Sequence, residues 1–137
     1  MINQLNNLNW FGVLIAFFAY FLLGALWFTV FFSKPYKISL GKENEKLPNN
    51  PIFIIGPALC SLVITLATAV LLYALKIEGF NATLEFSAVV GIGFLVANTV
   101  NIAINPNIPR RIYYGLISGG YHLVGIVTAS MILMMMK

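Results

Sequence analysis

The residue best suited to chemistry is His122, the chain's single histidine. It lies in the run Arg110-Arg111-Ile-Tyr-Tyr-Gly115-Leu-Ile-Ser118-Gly119-Gly-Tyr121-His122-Leu-Val-Gly125. An imidazole takes up or releases a proton near neutral pH, and Ser118 stands one helical turn before it. A serine–histidine nucleophile also needs a carboxylate to orient the ring. The acids, Glu43, Glu45, Glu78 and Glu85, all fall outside the long apolar runs. Metal chemistry needs several His, Cys or carboxylate ligands together, and within the apolar runs there are only His122 and Cys60. The chain therefore reads as no enzyme, with no catalytic, cofactor-binding or metal-binding residue expected. What remains for His122 is a polar layer in an apolar setting, with Asn98, Asn101, Ser118 and Thr65 as its candidate members.

The setting is decided by composition. Of the residues, 60% are hydrophobic and 9% charged, with a mean hydropathy of +0.90. A soluble domain carries about 25% charged residues to solvate its surface; this chain could not cover a water-facing surface but could cover a lipid-facing one. The formal charge of +4 does not point to nucleic acid, because the basic residues sit between or just outside the apolar runs, where they orient helices in a bilayer.

The reading is an all-α polytopic membrane protein, a single domain over residues 1–137 with four transmembrane helices in an antiparallel bundle. Its spans are expected at about 10–32, 51–75, 86–104 and 112–136, by the roughly 20 apolar residues that the hydrocarbon requires. Residues 33–50 are expected to be a solvated loop, with a short interfacial turn near Tyr36. Pro57 is expected to kink the second span or mark its start. Trp10, Trp27, Arg110 and Arg111 read as anchors at the membrane interface.

Spacing suggests which faces turn inward. Ser61, Thr65 and Thr68 share one face of the second span. Asn98, Asn101 and Asn105 align in the third, with Gly91 and Phe94 continuing the stripe, and are expected to face other helices because unsatisfied amides in hydrocarbon are costly. In the fourth span Gly115, Gly119 and Gly125 accompany His122 on a face of small residues, and Gly24 interrupts the bulky side chains of the first. These four glycines are candidate close-packing sites. At 1.5 Å per residue His122 lies ~15 Å beyond Arg111, near mid-bilayer, and Asn98 ~10 Å from the same surface.

Counting bases sets the topology. Lys34, Lys37, Lys42, Lys46, Arg110 and Arg111 fall on one side of the membrane, Lys76 and Lys137 on the other. The excess predicts cytoplasmic loops at 33–50 and 105–111 and both termini outside. Two function classes fit. The first is a structural or assembly protein, a homo-oligomer or a subunit of a larger membrane complex, with the lipid bilayer as its other partner. The alternative is a small transporter or channel lined by the His/Asn layer.

Two motifs resemble a known family. Asn9-Trp10, Gly24-Ala25-Leu26-Trp27-Phe28 and Phe32-Ser33-Lys34-Pro35-Tyr36 look like the opening of the domain-of-unknown-function 1761 family. Arg111-Ile-Tyr-Tyr with Gly120-Tyr121-His122-Leu123-Val124 is similar to that family's last helix. The chain departs where the family has Trp-Tyr-Ser-Pro, since Trp27-Phe28-Thr29-Val30 lacks the proline. The resemblance implies a small bacterial or fungal four-helix membrane protein, here placed in a bacterial inner membrane, and carries no reaction and no functional residues.

Overall fold

The computed structural model describes residues 1–46 and 48–137; Leu47, within the expected loop, lies outside them. After a 3₁₀ turn at Ile2–Asn7, the elements are α1 (Trp10–Phe31), α2 (Ser33–Ser39), α3 (Ile52–Ala74), α4 (Phe80–Ala103) and α5 (Arg111–Met135). All but α2 are long and apolar enough to cross a membrane. The architecture is all-α and polytopic.

These helices are apolar nearly all round, as a lipid-immersed helix must be. Large residues such as Phe11, Phe18, Val63, Phe94 and Leu116 point outward. The interior sets small and hydroxylated residues around a few large ones: Ala16, Ser61, Thr65, Ala69, Thr83, Ser87, Ala129 and Ser130 are buried beside Tyr20, Leu72 and Ile126. Without water to expel, helices in a bilayer gain by backbone approach and packing, which small residues permit. The inner hydroxyls mostly bond back to their own helices, as Ser61 does to the Pro57 carbonyl (2.8 Å) and Thr68 to that of Ile64 (2.7 Å).

α5 is the centre. It packs against α1, α3, α4 and α2, and α1 also packs against α3, whereas α4 leans on α5 with no comparable contact to α1 or α3. The chain ends and the α3–α4 turn gather at one end. There Asn9 caps α1 by accepting from the Gly12 amide, and its side chain donates to the Met136 carbonyl (2.7 Å). At the other end the Arg110 amide donates to the Ser39 carbonyl (3.3 Å), and Arg110 pairs with Glu43 (3.2 Å).

Two boundaries differ from expectation. α4 begins at Phe80, not near 86. Its first turns carry Asn81 and Glu85 on the outside, and Thr83 donates to the Gly79 carbonyl (2.8 Å), so hydropathy alone stops short of the true start. Residues 33–39 form the helix α2 rather than open loop. α3 runs through Pro57 from Ile52, so Pro57 does not mark its start; as the sixth residue of the helix it forgoes the hydrogen bond that an N–H there would make to the Phe53 carbonyl.

Two π turns, at Trp27–Phe31 and Gly91–Val96, interrupt α1 and α4. The first needs no proline: the Phe32 amide reaches the Trp27 carbonyl (2.8 Å). The second changes which residues face inward. Thr83, Ser87 and Gly91 are buried at ordinary helical spacing, and the extra residue of the π turn then brings Thr99 and Ala103 inward in place of Asn98 and Ile102. Asn98, Asn101 and Asn105 are therefore exposed, a correction to the expectation that they face other helices.

Candidate functional site

The polar centre is built from α1 and α5. Tyr20 is fully buried, and its hydroxyl shares a hydrogen bond with Nδ1 of His122 at 2.9 Å. Both residues lie ~16 Å from the loop-side ends of their helices at 1.5 Å per residue, mid-bilayer in depth. Gly125 makes the meeting possible. The Tyr20 ring occupies the space that a Cβ at Gly125 would take, so α1 and α5 close directly on each other there.

Around this pair runs a series of aromatic rings. Tyr20 meets Tyr121 at 5.4 Å, Tyr121 meets Phe28 at 5.3 Å, Phe28 meets Tyr36 at 4.8 Å, and Tyr36 meets Tyr114 at 6.0 Å. The two Phe28 contacts are edge-on, a favourable arrangement for aromatic pairs, and the other two are tilted. Gly24 admits Tyr121, since a Cβ there would come within 2.9 Å of its ring. Trp27 donates its indole N–H to the Ile117 carbonyl of α5 at 3.0 Å. Outside the spans, burial pushes the Tyr36 phenol above its ordinary range, with Tyr114 adding to the effect.

The remaining candidates are distributed as follows. Thr65 and Ser118 are buried, and their hydroxyls have no hydrogen-bond partner among the described residues. Asn98 and Asn101 are outside, separate from His122. Gly115 and Gly119 face α4 within the chain, where a Cβ would meet Val100 and Ala103, or Val96. Trp10 is exposed at the start of α1, and Arg110 and Arg111 at the start of α5. Tyr20 is the member that sequence reasoning missed. A usable signal was present, since Tyr20 is the one tyrosine in α1 and sits at the depth of His122.

The unpaired Thr65 hydroxyl yields a prediction. A buried hydroxyl without a partner costs ~1–3 kcal/mol, so Thr65→Val should raise the midpoint of thermal unfolding in detergent, by a gain of ~1 kcal/mol. Thr68→Val, which removes a bonded hydroxyl, should not.

A family model described as "Protein of unknown function (DUF1761)" matches residues 11–134. The chain belongs to this family. No curated protein and no solved structure matches it. The DUF1761 match takes in α1 almost entirely, all of α3 and α4, and α5 to within a residue of its end, so it includes Tyr20, Gly24, His122 and Gly125. The family description supplies no reaction, and the chemical reading rests on the geometry: a tyrosine–histidine hydrogen bond closed between two helices, and a pair of amides left outside.

Proposed function

We propose that this protein is a non-enzymatic assembly element of the membrane that pairs with a second copy of itself through the outer flank of α4. The observation that carries this reading is the position of Asn98 and Asn101. Both are exposed, and neither has a hydrogen-bond partner among the described residues. Asn98 lies ~8 Å inside the helix end at 1.5 Å per residue, where an unsatisfied amide is costly. An amide is donor and acceptor at once, so the same strip on a second chain complements it across a two-fold axis. Gly93, whose Cβ position is open space, and the exposed Ala97 lie beside the amides and leave room for close approach. α4 also has a free flank, because its main support is α5.

The orientation follows the same reading: the end bearing Lys34, Lys37, Lys42, Lys46, Arg110 and Arg111 faces the cytoplasm, and both termini lie outside. Transport through the polar centre is less well supported. Tyr20 closes on His122 (2.9 Å), and the recesses at the loop end and along α4 and α5 are lined by neither residue.

The test is native mass spectrometry of protein gently extracted from its own membrane. The expected species is twice 15.1 kDa, and Asn98→Leu with Asn101→Leu should weaken it about tenfold, at under 1 kcal/mol per interhelical amide bond. A wild-type monomer, or fixed-ratio co-extraction with unrelated subunits, overturns self-pairing. A pH-dependent flux in proteoliposomes that His122→Gln abolishes, with assembly intact, would favour transport instead.

A further inference from the structure

Two recesses along α5 meet at two residues, Arg111 and Ile112. The first, about 640 Å³, opens at the loop end between α2 and the start of α5, and is lined by Ile38, Pro109, Arg110, Arg111, Ile112 and Tyr113. The second, about 430 Å³, is an almost purely apolar groove that runs from Arg111 and Ile112 down between the two helices. Arg111 and Ile112 line both, so the two form one continuous surface with a cationic head and an apolar tail.

We propose that this surface binds one anionic phospholipid, its phosphate at Arg110 and Arg111 and one acyl chain in the groove. The charge favours a phosphate. Arg110 shares its guanidinium with the exposed Glu43 (3.2 Å), an exposed pair of little intrinsic strength. Arg111 has no acidic partner among the described residues and stands exposed where α5 enters the membrane. Arginine's planar fork suits phosphate oxygens, and basic recesses between membrane helices at the interface hold anionic headgroups.

The groove favours a chain. Its floor is made of Gly115, Gly119 and Ala103, all buried, and its rims of Val100, Ile104 and Leu116, all exposed. At membrane depth its occupant is hydrocarbon, and a free phosphate would leave it unused. Asn98 and Asn101 line neither recess, so the site does not depend on self-pairing.

The test counts lipids retained by the purified full chain in native mass spectrometry after incubation with dioleoyl phosphatidylglycerol, dioleoyl phosphatidylcholine or inorganic phosphate. The wild type is expected to keep one phosphatidylglycerol per chain, at least tenfold more often than phosphatidylcholine. Arg111→Gln should cut that preference about fivefold, the worth of one basic side chain at an anionic surface. Val100→Trp, filling the groove from its rim, should reduce phosphatidylglycerol retention at least fivefold. Ile104→Trp, a second exposed rim position, gives the same readout if Val100→Trp does not fold. Equal retention of the two lipids overturns the proposal. So does displacement of phosphatidylglycerol by millimolar phosphate, which would indicate an anion site alone. Undiminished retention in folded Val100→Trp or Ile104→Trp also overturns it, because the acyl chain would then lie elsewhere.

Discussion

Gly125→Ala should destabilise the protein by about 3 kcal/mol, the upper part of the usual cost of overpacking a filled core. The added methyl would fall within the Tyr20 ring, and Tyr20 has nowhere to go. It is fully buried and held by Tyr121 on one side and His122 on another. Relief requires α1 and α5 to separate, which breaks the Tyr20–His122 hydrogen bond and loosens the seam below it. Thermal unfolding in detergent, followed by loss of the folded peak on size exclusion, measures the effect. Gly56→Ala is the control, because a Cβ there meets nothing within 4 Å. An unchanged midpoint for Gly125→Ala would mean that α1 and α5 are not in direct contact at this depth.

Tyr20→Phe should cost about 2 kcal/mol, within the range for leaving a buried polar group without its partner. The ring volume is preserved, so the effect isolates the hydroxyl, and the orphaned imidazole is left half-buried at mid-bilayer. A double-mutant cycle with His122→Leu separates the bond from packing. Tyr20→Phe made on His122→Leu should be close to neutral, so that the coupling is nearly the whole ~2 kcal/mol. Additive single effects would show that the two side chains are neighbours without an energetic bond.

Much of this arrangement is legible in the residues themselves. Hydropathy and length find four spans because each must bury its backbone in hydrocarbon without help from its neighbours. The inner face of α5, with Gly115, Ser118, Gly119 and Gly125, is readable from spacing because α5 is regular from Arg111 to Met135. The side of α4 is not, because spacing arguments assume 3.6 residues per turn and the wider turn at Gly91–Val96 leaves no mark in residue type. A rotation of about one residue is enough to carry Asn98 from the inside to the outside. The partner of His122 was hidden for another reason. Pairing across helices depends on which helices touch, and that α5 lies beside α1 follows from the packing of Gly24 and Gly125 against tyrosines rather than from any pattern within one segment.

The central position of α5 carries a consequence for biogenesis. Translation delivers the other three spans first, yet α4 leans chiefly on α5. While α5 is still in the ribosome, α4 lacks its main support, and Tyr20 faces an empty flank where His122 will dock. The nascent chain thus waits in the bilayer with only the α1–α3 contact in place until its organising helix emerges. A polypeptide arrested before residue 111 would present α4 to the membrane's quality-control proteases without the helix it chiefly packs on.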